Sequence, residues 1–498
     1  MLEQLLLGFS VALTWQNMFY CFLGVFVGTL IGVLPGIGPP TTIALLLPAT
    51  YYVEPTSAII MLAGIYYGAM YGGSITSILV NIPGEAASVV TCLDGYQMAR
   101  QGRAGVALGI STIGSFIAGT LGIVGLMVAA PPLAKFALRF GPPEYFSLVF
   151  MAFSLVIYLA SQSMLKAVMI TVVGVLVGTV GMDFVTGTDR FSYGSMTLSD
   201  GVGLIPVVIG LFGIAEVLEN TEKEAGKIST LKTKFKGLFP TLKDWKDSLG
   251  PIFRGTILGF FIGILPGGGT IMASFASYAL EKKVSKHPEQ FGKGAIEGVA
   301  APESANNAAS SSAFIPLMTL GLPSNAVTAL LLGALMIHGI RPGPMLIQEH
   351  PQLFWGVVAS MYVGNVMLVI LNLPVIGLWV RLLSIPYRIL FPIILLFCLV
   401  GVYGVNSNPW EVMIMIVFGI VGYLMRKFKY EPAPFVFAFV LGRLMEEALR
   451  QSLFLSKGSF AIFFTRPISC ILIVIGILLF SVPALPWFKR KRLREGEI

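Results

Sequence analysis

Long apolar stretches separated by short polar loops run through the chain, and two of them are interrupted by nearly the same tip. It reads GVLPGIG at 32–38 and GILPGGG at 263–269, and aligning 24–38 with 255–269 gives eight identities in fifteen positions. Pro removes a backbone donor and Gly adds backbone freedom, so each tip breaks a helix. Broken backbone at membrane depth is tolerated only against protein or a water-filled cavity. Paired breaks in two halves of a chain are the sequence mark of a secondary transporter. The pattern predicts an all-α polytopic membrane protein of two inverted repeats, each with a re-entrant helical hairpin and a broken transmembrane helix.

Composition supports the membrane reading. Mean hydropathy is +0.83, and 12% of the 498 residues are charged, about half the roughly 25% of soluble proteins. The net charge of +8 does not point to nucleic acid, because the basic residues cluster where they orient a membrane protein. Seven lysines lie within 221–250, four within 281–293, and the tail reads KRKRLR at 489–494. Basic loops stay cytoplasmic, so these three segments are placed inside.

That placement sets the topology. Residues 252–280 start and end beside cytoplasmic lysines, and each arm of about 13 residues is shorter than the ~20 that span a bilayer. They predict a hairpin entering from the cytoplasm and turning at Leu265–Gly269. Residues 296–338 follow as a spanning helix unwound near Pro323. In the first half, a hairpin at 18–52 opens outward and a broken helix at 57–99 is interrupted at 81–85, ending at Arg100 and Arg103. Crossings near 104–130, 143–160, 165–181 and 203–219 carry the chain back inside. Later crossings are expected at 352–376, 387–404, 409–425, a broken 431–449, and 467–487. The units are then 1–17, an interfacial or part-spanning helix; 18–219, the first repeat; 220–250, a cytoplasmic basic linker; 251–449, the second repeat; and 450–498, the last crossing and basic tail.

Small polar residues surround the breaks. A helix that starts at membrane depth offers free N–H groups to a carboxylate, and one that ends there offers carbonyls to a cation. On these grounds the candidate substrate residues are Gly36, Gly38, Thr41, Thr42, Asn81, Gly84, Gly267, Gly268, Gly269, Thr270, Asn306, Asn307, Ser324 and Asn325. The candidate ion residues are Pro35, Ser74, Ser77, Glu85, Pro266, Glu303, Ser310 and Ser311. Small residues also let membrane helices pack closely, the better reading for isolated ones such as Gly109, Gly114 or Ser154. For SANNAASSS at 304–312 a polar lining is the better reading, since unsatisfied amides are costly. Glu85 and Glu303 read equally as functional carboxylates and as helix caps or partners of a donor. Asp183, Asp189 and Arg190 fall in an outer loop that they shape, although contact with substrate or a partner stays open.

Other chemistry is weakly represented. Cys21, Cys92, Cys398 and Cys470 are scattered, and His287, His338 and His350 are dispersed, so no transition-metal site and no cofactor are expected. Residues 1–10 lack the basic region and small-residue cleavage site of a signal peptide.

The strings GVLPGIGPPTTIALLLP (32–48), YGGSITSILVNIPGEAASVVTCLDGYQMARQG (71–102) and GVAAPESANNAA (298–309) closely resemble the large membrane subunit of the tripartite tricarboxylate transporters. The loop at 178–194 and GLPSNAVTALLLGALMIHGIRPGP at 321–344 are similar to that family as well. The resemblance implies a bacterial inner-membrane carrier driven by Na+ or H+, working with a periplasmic solute-binding protein and a small four-helix membrane subunit. It implies citrate or another organic carboxylate as cargo and, by further similarity to other binding-protein-dependent carriers, an elevator motion. Ser324-Asn325 departs from the Pro-Gly-Ser-like tip expected there and leaves di- or monocarboxylate cargo open.

Two other readings compete. An uncoupled channel or structural subunit would use the tips as constrictions. An intramembrane serine hydrolase would need a base beside its nucleophile, and neither YGGSITS nor SANNAASSS has a neighbouring His or Lys in sequence.

Overall fold

The computed structural model describes residues 2–34, 38–160, 163–183, 186–222, 240–382 and 387–481. Nearly all of its regular structure is helical. Among the described residues, seven helices are long and apolar enough to cross a membrane, and the one strand pair joins Gly181–Met182 to Asp189–Arg190. Phe253, Ile257 and Phe261 are exposed at four-residue spacing along one helix face, the apolar stripe expected of a surface turned to lipid.

Helix ends follow local chemistry. Leu242–Ile264 begins in a capping box: the Thr241 hydroxyl accepts from the Asp244 N–H at 3.3 Å, and Asp244 accepts from the Thr241 N–H at 2.9 Å. It ends at the second tip, where Gly267 has φ 76, a left-handed conformation suited to glycine. Gly269–Val284 then returns. In the first half, Trp15–Val33 and Pro39–Thr50 flank the first tip, and prolines at the first two positions of the second helix leave few N–H groups unpaired.

Pro55–Val80 is followed by a non-helical stretch and then Val89–Arg100. Glu297–Ser312 and Phe314–Leu320 lead to another break, left at Gly321 in a left-handed turn, before Ala326–Ile337 resumes. These interrupted helices form the interior. From Thr56 onward every residue of Pro55–Val80 is buried, and from Gly298 onward so is every residue of Glu297–Ser312.

Close backbone approach brings them there. Trp15–Val33 lies along Pro55–Val80, where a Cβ at Gly28 or Gly32 would stand 2.5 Å from the carbonyl oxygen of Ile65 or Ala69. Leu242–Ile264 packs on Glu297–Ser312, which packs in turn on Ala104–Ala137. A second group of neighbours comprises Pro142–Leu159, Met164–Gly178, Pro432–Leu455 and Pro467–Ser481.

Several extents differ from the sequence expectation. The helix before the second tip has 23 residues and starts at Leu242, inside the stretch read as linker, because the Thr241–Asp244 cap starts it early. The stretch expected to break within 431–449 is one 24-residue helix, Pro432–Leu455, with its prolines confined to the first turn. Residues 2–12 form a helix packed on Pro351–Asn372. Linker residues 223–239 and the tail from 482 lie outside the described residues.

Candidate solute and ion site

The breaks of the two halves converge on one buried polar cluster. Glu85 follows the first break and caps the short turn Ala86–Ser88, accepting from the Ala87 N–H at 2.8 Å. Its other oxygen accepts from the Asn306 amide at 3.2 Å. Glu303, one turn earlier on the same helix as Asn306, accepts from the Ser74 hydroxyl at 2.5 Å and from the Thr91 hydroxyl. Each half thus supplies one carboxylate and the donors for the other's. Glu85 therefore caps a turn and also belongs to the inter-half cluster.

Asn306 Oδ1, on the amide that reaches Glu85, is buried without a hydrogen-bond partner among the described residues. An unmatched buried oxygen is costly. Two carboxylates with an unmatched amide oxygen make a hard-oxygen environment that suits Na+ or a proton.

The second tip joins this region through the second break. Gly267 N–H donates to the Ser324 carbonyl at 2.9 Å, and Asn325 caps Ala326–Ile337 by accepting from the Thr328 N–H at 3.0 Å. The Asn325 amide donates to the Tyr66 hydroxyl at 2.7 Å, tying this tip to the first broken helix. Pro266, Gly268, Gly269 and Thr270 are buried at the turn and the helix start after it. Gly84 wedges between Trp15–Val33 and Pro55–Val80, its N–H reaching the Gly73 carbonyl at 3.4 Å.

Other candidates sit differently. Ser77 donates to the Gly73 carbonyl at 2.9 Å, a bond within its own helix. Asn81 is exposed and ends its helix in a left-handed conformation with φ 59. Asn307 donates to Ser115 at 2.7 Å and to the Glu303 carbonyl at 3.0 Å, while Ser310 and Ser311 donate to the Asn307 carbonyl. These three continue the helix face of Glu303, four, seven and eight residues further on. Pro35 and Gly36 lie outside the described residues.

The described end of the first tip meets a residue the sequence reading passed over. Glu216, buried in the helix Leu204–Glu222, accepts from the Thr41 hydroxyl at 2.5 Å and from the Gly38 N–H at 3.3 Å. Arg426 approaches Glu216 at 3.7 Å, and Thr42 donates back to the Gly38 carbonyl at 3.2 Å. Residues 209–214 of that helix are wound as a π-helix, a feature often found at functional sites. A carboxylate in an apolar crossing was the available signal.

In the loop after Met164–Gly178, Asp183 pairs with Arg190 and with Arg450 at 3.0 Å, and Arg190 also pairs with Glu446 at 2.8 Å. Hydrogen bonds to Glu446, then Asp183, hold the Arg190 guanidinium above its ordinary range. The network clamps the loop onto Pro432–Leu455 around a cleft open to solvent.

Buried breaks, carboxylates meeting across the two halves, and long apolar crossings define a multi-pass membrane protein of the solute-carrier class. The model of the tripartite tricarboxylate transporter TctA family matches residues 18–437, and the chain belongs to that family. It is 52% identical over 492 residues, 99% of this chain and 98% of the relative, to an uncharacterized 52.8 kDa protein in the TAR-I ttuC' 3' region of Agrobacterium vitis. A second relative, in the TAR-II ttuC' 3' region of the same organism, is 53% identical over 234 residues, 47% of this chain and 97% of the relative. No solved structure matches. The family is a transporter family, and its name implies a three-part system of which this chain is a membrane component.

Proposed function

We infer that the protein carries an organic carboxylate across the bacterial inner membrane, driven by a Na+ or H+ gradient and supplied by a periplasmic solute-binding protein, with a small four-helix subunit beside it. The observation that carries this reading is the reciprocal pairing of Glu85 with Asn306 and of Glu303 with Ser74. A cation entering between those carboxylates changes the contacts of both halves at once, and a coupled carrier needs such a linkage. Citrate or a related di- or monocarboxylate is the cargo class. Its carboxylates would meet the backbone N–H groups that open the helix after the second tip, at Gly269 and Thr270, because those of Gly38 and Gly267 already serve Glu216 and Ser324.

The inverted arrangement draws support from contacts between chain ends assigned to the same side. Lys166 donates to the Phe428 carbonyl at 2.6 Å on the inner side. On the outer side Arg466 pairs with Glu144 at 2.9 Å, and Tyr52 donates to the Gly404 carbonyl at 3.0 Å. An elevator motion moves the hairpins and broken helices against the neighbouring crossings.

The test is uptake of labelled citrate and smaller carboxylates into proteoliposomes holding this chain and the small subunit, with the binding protein outside. Uptake above equilibrium under an imposed Na+ or pH gradient supports the reading. Uptake indifferent to both gradients defeats it and favours the uncoupled channel.

A further inference from the structure

The second hairpin is fastened near its base as well as at its tip. Val89–Arg100, the helix after the first break, carries Asp94, which is fully buried. One Asp94 oxygen accepts from the Gly294 and Ala295 N–H groups, each at 2.8 Å, just ahead of Glu297–Ser312. The other accepts at 2.9 Å from the hydroxyl of Tyr278, on the return arm Gly269–Val284. Room for that second oxygen depends on Gly298, where a Cβ would stand 2.2 Å from it. A single carboxylate of the first half thus grips two elements of the second. Nearby, the Gln101 amide donates to the Lys293 carbonyl at 2.7 Å. Lys282, Lys283, Lys286 and Lys293 are exposed at this end, the basic side read as inner.

Two observations separate the Tyr278 contact from ordinary packing. The return arm is gripped from one side: Ser274 and Ser277 are buried, while Met272, Phe275 and Ala279 on the opposite face are exposed. The grip is also wired to the carboxylate cluster. Thr91, one turn before Asp94 on the same helix, donates to Glu303. A change of occupancy at Glu303 therefore acts on the helix that holds the arm.

We propose that Asp94 and Tyr278 form a latch on the second hairpin, with Asp94 as a positioning residue for cargo release. Closed, the latch holds the N–H groups of Gly269 and Thr270 against the carboxylate. Open, it frees the return arm, and cargo leaves on the inner side. The proposal rests on the carrier reading above.

The experiment is amide hydrogen exchange of the purified full chain in nanodiscs, without cargo or gradient, read by mass spectrometry. Tyr278→Phe keeps the ring against Phe291, 5.3 Å away between centroids, and leaves both Asp94 bonds to Gly294 and Ala295. It removes only the latch. The amides of Gly269–Val284 then exchange about tenfold faster, and those of Glu297–Ser312 exchange as in the wild type. Gly298→Ala, whose Cβ displaces the same Asp94 oxygen, speeds the return arm as well. In proteoliposomes Tyr278→Phe raises the KM for carboxylate severalfold, because the closed form is less populated. Wild-type exchange along the return arm in Tyr278→Phe overturns the proposal, and so does an equal rise over both helices, since the contact then holds the fold and not the arm. A freed arm with an unchanged KM overturns it too. A freed arm in a protein whose uptake ignores both gradients supports the latch and removes the ion-coupled reading.

Discussion

Asn306 donates its side-chain amide to Glu85 across 3.2 Å, although 221 residues separate them in the chain. That bond joins the turn after the first break to the helix before the second. One turn away Glu303 takes the Ser74 hydroxyl in the opposite sense. Bonds to buried charged groups contribute roughly 1.5–3 kcal/mol. Glu303→Gln and Glu85→Gln therefore lower the initial rate of gradient-driven uptake at least about tenfold. Reconstituted uptake at equal protein incorporation checks this, and wild-type rates in both variants would remove the cluster from the mechanism.

Tyr66 separates assembly from transport. Asn325 both caps Ala326–Ile337 and reaches Tyr66, so replacing Asn325 mixes two losses. Tyr66→Phe leaves the cap and removes only the bridge, at a cost of about 1 kcal/mol. The expected result is a severalfold rise in KM for uptake with a melting temperature within a few degrees of wild type. An unchanged KM would detach the second tip from solute binding.

At the first tip, Thr41 and Glu216 act as one unit. Thr41→Val and Glu216→Ala should each slow uptake, and the double variant should be no slower than the worse single one. Coupling between contacting groups is typically about 0.5–3 kcal/mol, so the double variant falls short of the product of the single effects by roughly twofold or more. Strict multiplicativity would mean that the contact has no part in transport.

Acid should loosen the base of the second hairpin. Burial alone would raise the Asp244 pKa, but hydrogen bonds from the Thr241 hydroxyl and N–H, with Arg103 alongside, hold it below the ordinary 3.8. A carboxylate depressed in the folded state contributes its stability above its unfolded pKa, and the contribution is lost as pH falls through the folded value. Asp244→Asn should melt below wild type at pH 6, and the gap should close as the pH falls below the ordinary carboxylate value of about 4. Melting curves of both proteins across that range provide the check, and a gap independent of pH would contradict it.

Much of this was legible in the chain because membrane burial writes strong signals. Apolar runs marked the crossings, and Pro and Gly at 81–84, 265–269 and 321–323 marked the interruptions. Glu303 and Asn306 stood out as polar residues in a stretch of alanines. What could not be read was partnership. Glu216 lies in a helix far from the first tip in sequence, and only packing brings it to Thr41. The break expected within 431–449 is absent because Pro432 and Pro434 fall in the first helical turn, which tolerates them. The start at Leu242 depended on a cap that competes with a basic, linker-like composition.

The central claim is that the two interrupted units hold solute and driving cation together where they meet. Its most direct test is concentrative uptake by Asn306→Ala and Gly267→Leu, each reconstituted with the small subunit and the binding protein and checked for assembly by size exclusion. Both variants should assemble, and neither should raise internal carboxylate above the external concentration under a gradient that drives the wild type. Accumulation against the gradient by both variants would contradict the claim.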